Sequence, residues 1–89
     1  MWLAAELLRV QPHVVVGLGS MAARTMFGDA FRITRERGEW RELGRDVRGI
    51  ATWHPSALLR MPDPHSRDAA FGELEEDLRK AAEAAADRG

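Results

Sequence analysis

The sequence contains no cysteine, which removes thiol nucleophiles, redox pairs, disulfides and thiolate-bound clusters from what its 89 residues can do alone. Lysine is nearly missing too. Twelve arginines stand against the single Lys80, so the cationic side chains are almost all planar, bidentate donors, a bias that a GC-rich coding sequence also produces. No apolar run approaches the roughly 18 to 20 residues that cross a bilayer, and the start lacks the basic stretch and cleavage site of a secretory signal. A cytoplasmic chain with no membrane partner is therefore expected. Neither charge dominates. Thirteen basic and 14 acidic residues leave a net charge of -1, which argues against a strongly basic architectural DNA binder. His13, His54 and His65 are too scattered for a metal-ligand spacing, and no metal site is expected.

What is present suits a folded chain, with 45% hydrophobic and 30% charged residues. Eighty-nine residues are enough for one small unit or a piece of one. A chain this short buries only about 60 to 65% of its unfolded surface, so its stability should be marginal. The charge is segregated. Residues 24–60 hold eight arginines against five acids, a net of +3, and residues 61–89 hold eight acids against four bases, a net of -4. The middle is the expected ligand face and the tail the expected solvent face.

Apolar spacing at Leu3, Leu7 and Val10 predicts a short helix from Trp2 to Val10, closed before Pro12. The β-branched run Val14-Val15-Val16 predicts a strand covered on both faces, as in a parallel sheet. It enters Gly17-Leu18-Gly19-Ser20, where Ser20 is the expected N-cap of a helix that ends at Gly28. Phe31 to Val47 reads as an irregular excursion with short strands near 31–34 and 39–43. Val47 to Trp53 reads as a second buried strand, followed by a proline-rich loop over Ala57 to His65. Asp63 or Ser66 can cap the last helix, with Phe71, Leu74, Leu78, Ala82 and Ala85 on its apolar side. Two such strands make a poor sheet by themselves. The expected fold class is α/β, as a C-terminal portion of a larger domain with a mostly parallel sheet.

In open α/β sheets ligands gather beyond the carboxyl ends of strands, and both unusual stretches, Gly17–Ser20 and His54–Arg60, fall there. They should lie side by side. The glycines permit close backbone approach and the following helix start offers free N–H groups to an anion, although a tight turn needs the same glycines. The pattern lacks the third glycine of a dinucleotide fingerprint and the lysine of a phosphate-binding loop. His54 follows an apolar strand and precedes Pro55, so its ring is held rather than free, for a structural role or to donate to a carbonyl oxygen gaining charge. Leu58 and Leu59 either pack on the core or point outward as a wedge into a base stack, with Arg60 on phosphate. Arg32, Arg35 and Arg37 suit phosphate neighbours and a solvated loop equally well.

The stretch Ala51-Thr52-Trp53-His54-Pro55-Ser56-Ala57-Leu58-Leu59-Arg60 resembles the second active-site motif of the uracil-DNA glycosylase superfamily, especially its family-4-like and covalent uracil-DNA-trapping branches. Gly17-Leu18-Gly19-Ser20 with Ala22-Ala23 is similar to an earlier Leu-Gly-x-x-Ala stretch, and residues 31–38 resemble the segment between them. The resemblance covers essentially all 89 residues, read as the C-terminal portion of a three-layer α/β/α fold. It implies that His54 contacts uracil O2 and stabilises the anionic base as the N-glycosidic bond weakens. Pro55 and Ser56 would hold the backbone and meet phosphate, Leu58 or Leu59 would fill the gap left by the flipped nucleotide, and Arg60 would steady the loop. Gly17, Gly19 and Ser20 would form the pocket backbone, with Arg35 and Arg37 near phosphate.

The implied partner is uracil-containing DNA, together with a missing N-terminal half that would bring the water-activating acid, the aromatic that stacks on uracil and the residue that reads its edge. Relatives often hold a four-iron, four-sulfur cluster through four cysteines; none is expected in this chain. Three readings remain open: a DNA-repair hydrolase portion with negligible activity alone, a salt-dependent DNA-binding chain, and a structural half.

Overall fold

A computed structural model describes residues 7–11 and 13–88 of the chain. Four strands and four helices follow in the order β1 (Leu7–Gln11), β2 (Val14–Leu18), α1 (Gly19–Phe27), α2 (Ile33–Glu36), β3 (Arg41–Gly44), β4 (Val47–Thr52), α3 (Pro55–Leu59) and α4 (Pro64–Arg88). The sheet order is β1-β2-β4-β3.

The two strands expected to be buried are its central pair, parallel, with Val16 beside Ile50 and Leu18 beside Thr52. The expectation of a mostly parallel sheet is corrected at both edges. β1 pairs antiparallel with β2, and β3 pairs antiparallel with β4. Connection length explains the outcome. Two residues join β1 to β2 and two join β3 to β4, with Asp46 at φ 60° in the second turn. Such short links permit only antiparallel return, whereas β2 reaches β4 through α1, α2 and β3, long enough for a parallel crossover.

Helices cover both faces of this sheet. Val14, Val16 and Ile50 point to one side and meet Ala81 and Ala84 of α4. Ala51, the next residue along β4, points the other way and packs with Ala23 of α1, Ile33 of α2 and Phe31. Leu58 of α3 joins Ala70 and Leu74 of α4 in a third cluster, which Leu18 and Trp53 also touch.

Several local expectations change. Residues 7–10, expected to close a helix begun at Trp2, belong instead to strand β1; residues 2–6 of that expected helix lie outside the described part. Residues 33–36 form a helical turn in place of a strand, closed by the Arg32 N–H donating to Glu36 Oε1 at 2.7 Å. Residues 57–59, expected to open a loop, belong to a helix over residues 55–59, which can start there because Pro55 falls at its first position, where a missing N–H costs nothing. On α4, Asp63 is the cap: its Oδ2 accepts from the Ser66 N–H at 3.1 Å and from Ser66 Oγ at 2.8 Å. The buried stripe of α4 keeps Leu74 and Ala85 from the expected one, adds Ala70, Asp77, Ala81 and Ala84, and leaves Leu78 and Ala82 exposed.

Candidate functional site

The parallel register of β2 and β4 brings their carboxyl ends to one edge, and both unusual stretches leave the sheet there. Gly17 is still in β2, and its lack of a side chain lets α1 approach; a Cβ would stand 2.5 Å from Met26 Cε. Gly19 has φ +92°, a conformation L side chains rarely adopt, and a Cβ on it would lie 3.2 Å from the Cβ of His54. The two stretches therefore touch through this glycine. α1 begins at Gly19 with Leu18 as cap residue and no side-chain cap, so Ser20 sits exposed inside the first turn rather than capping it. The first-turn N–H groups are left without an intrahelical acceptor.

Leu18, Gly19, Ser20 and Met21 on one side and His54, Ser56 and Ala57 on the other line an open cleft of about 210 Å³. None of these seven is acidic. His54 caps α3: its Nδ1 accepts the Ser56 N–H at 3.1 Å and lies 2.8 Å from Ser56 Oγ. A backbone N–H can only donate, so Nδ1 must present its lone pair. The neutral ring then carries its proton on Nε2, the nitrogen left free as a donor.

The strand end that carries His54 is held from behind. Thr52 Oγ1 donates to Asp77 Oδ2 at 2.6 Å, and both residues are fully buried. Arg37 meets the same carboxylate with two N–H groups, Nε at 2.9 Å and a terminal nitrogen at 3.0 Å. It also lies 3.4 Å from Glu73, whose other oxygen accepts the Trp53 indole N–H at 2.9 Å. Hydrogen bonding to Asp77 raises the Arg37 pKa further above its already high ordinary value, so this guanidinium stays charged. Next to it, Gly38 donates its N–H to Ala51 O and accepts from Lys80 Nζ, both at 2.9 Å. Residues 51, 52 and 53 are thus each tied to Gly38 or α4 immediately before His54.

The residues singled out from sequence divide accordingly. Gly19, Ser20, His54 and Ser56 meet at the cleft, and Pro55 fixes the first turn of α3. Leu59 is 69% exposed, whereas Leu58 is fully buried, since neighbours on a short helix cannot face the same way. Leu58 is therefore a core residue, not a wedge. Arg60 closes α3 through its N–H on Ala57 O at 3.3 Å, with an exposed side chain. Arg35 is exposed on α2. Arg37 is corrected from loop cation to half-buried ion-pair partner, because the buried Asp77 supplies the oxygens that phosphate would have offered. Arg32 donates to Asp29 O at 3.1 Å. His13 Nδ1 lies 2.8 Å from Asp46 O, at the other end of the sheet.

Sequence reasoning missed Met21, Thr52, Glu73 and Asp77. Asp77 had a readable signal, an acid at i+7 from Ala70 inside an apolar stripe, which calls for a buried partner. No spacing reveals a partner 40 residues away.

Among the described residues no group of three or more His, Asp or Glu side chains is arranged to hold a metal ion, and no helix is long and apolar enough to cross a membrane. The whole chain lacks cysteine, so its donor set does not fit a thiolate-held iron-sulfur cluster. A sequence model of the uracil DNA glycosylase superfamily matches residues 1–79. The match covers 79 of the 89 residues, and on it the expectation that the chain is only the C-terminal portion of such a domain is corrected. With its paired strand ends, its glycine-tight turn and this match, the chain belongs to the uracil DNA glycosylase superfamily.

Proposed function

We propose that the chain recognises uracil in DNA at the His54 cleft, with Nε2–H donating to a uracil carbonyl oxygen that gains negative charge as the N-glycosidic bond weakens. The observation that carries this reading is the Ser56 N–H on His54 Nδ1, which leaves Nε2 as the donor nitrogen of the ring. Such a donor is aligned before reaction and loses no reorganisation energy when charge develops. A base reaches the cleft only out of its stack, at a cost of a few kcal/mol, least in single-stranded DNA. Leu59 offsets part of that cost beside the cleft, and Ser56, Arg60 and Arg35 are assigned to the phosphates.

The test is uracil release from a single-stranded oligonucleotide under single-turnover conditions, beside a thymine control and His54→Ala. Abasic product that depends on His54 supports excision. Tight binding that discriminates uracil from thymine through His54, without product, supports recognition alone. This second reading has its own support, since none of the seven cleft residues is a carboxylate able to activate water. Equal binding of both oligonucleotides by both proteins overturns the proposal.

A further inference from the structure

Single exposed apolar side chains are ordinary on a protein surface, but among the described residues the two most exposed large ones fall on α1 and α3, the two helices that wall one cleft. Among the described residues Leu59 is 69% exposed and Met21 62%, and the next, Leu8, is 41%. Leu59 ends α3, the helix that His54 caps, and Met21 lies on the first turn of α1, in the wall of the cleft facing His54 and Ser56. The other methionines among the described residues are half-buried: Met26 packs against Gly17, and Met61 joins the Leu58 cluster.

A nucleobase has polar edges and apolar faces. His54 can serve an edge, yet no Phe, Tyr or Trp lines the cleft to cover a face. Of the cleft residues, Met21 is the long, unbranched apolar one, and its flexible thioether settles on an aromatic ring with the sulfur about 5 Å away. The cleft volume of about 210 Å³ lies below the usual range for a whole drug-sized ligand, roughly 300 to 1,000 Å³, and suits one planar ring. We infer that Met21 is a specificity-determining contact, its thioether lying on the face of the base whose edge meets His54, while Leu59 supports the neighbouring base of the strand.

This inference rests on the proposed function and is tested so that the two can fail separately. The full chain is labelled with 13C at the methionine methyls and titrated with single-stranded DNA bearing one uracil. The Met21 methyl is expected to move upfield while those of Met26 and Met61 stay in place. Met21→Gln, a helix-tolerated change at an exposed site, is expected to weaken binding roughly two- to tenfold with Tm unchanged, and Met21→Leu to retain most of the affinity. If the His54 ring responds to DNA but the Met21 methyl does not, or if Met21→Gln binds as tightly as the parent, the Met21 contact is overturned and the His54 reading stands. If neither residue responds, the His54 reading fails and takes this one with it.

Discussion

At His54 a single hydrogen bond decides the chemistry available. The Ser56 N–H occupies Nδ1, so long-range 15N NMR on the folded chain is expected to show the Nε2–H tautomer. Ser56→Ala removes only the Oγ contact and should leave that tautomer in place; an Nδ1–H signal in the parent would contradict the assignment. Gly19 is the second residue on which the cleft depends. Gly19→Ala puts a side chain at φ +92° and 3.2 Å from His54 Cβ, so a loss of about 1–3 kcal/mol is expected by chemical denaturation, with altered His54 ring shifts. The meeting of Gly19 and His54 was legible, because a strand followed by glycines and a strand followed by His-Pro both deliver their loops to the carboxyl edge. Whether Leu58 or Leu59 faces out was not. The sequence presents two adjacent leucines, and only the docking of α3 on Ala70 and Leu74 chooses between them.

Among the elements, β4 and α4 are coupled by charge as well as by packing. Asp77→Ala leaves Arg37 half-buried without its carboxylate and Thr52 without its acceptor, which should cost about 3–5 kcal/mol. Set against the roughly 5–15 kcal/mol of a typical domain, that loss should lower the denaturant midpoint sharply. Replacing Asp77 and Arg37 together by apolar residues should cost much less than Asp77→Ala, and equal losses would show that the pair does not act as a unit. The start of α4 responds to acid. Ser66 holds the Asp63 carboxyl below its ordinary value of about 3.9. A lowered folded-state pKa means that the cap contributes fully above the ordinary value and is lost as pH falls through the folded one. The Ser66 amide resonance should therefore titrate below about pH 4, and an Asp63→Asn variant should show no such step. Helix α4 was readable from its periodicity, but its inward face only in part: Leu74 and Ala85 were expected there and Asp77 was not, since an inward-facing Asp looks like a surface residue until Arg37 is placed against it. The β1 strand was misread because its apolar spacing fits a helix, and pairing with β2 prevails over local pattern.

For the whole molecule, segregated charge promised a cationic middle, and the fold consumes much of it. Arg37 is bound to Asp77, Arg41 to Glu36 with its guanidinium over Phe27 and Phe31, and Arg48 stacks on Trp40. If exposed Arg35 and Arg60 supply the phosphate contacts, affinity for single-stranded DNA should fall with salt at a log-log slope near -1.4, about 0.7 per contact. Replacing both by Gln should nearly flatten it, and an unchanged slope would place the contacts elsewhere. Composition could show the sum of charges but not which of them a fold neutralises, because those partners lie in other elements.

Lys80 donates to Gly38 O from the middle of α4 and is the only lysine in the chain. A protease that cleaves after lysine alone therefore has one internal target, and that target is helical and tied to the loop before β3. Cutting should wait for α4 to leave the sheet, so the cleavage rate becomes a direct clock for that opening. DNA that docks at His54 should slow the clock, through the same strand end that Asp77 and Glu73 hold.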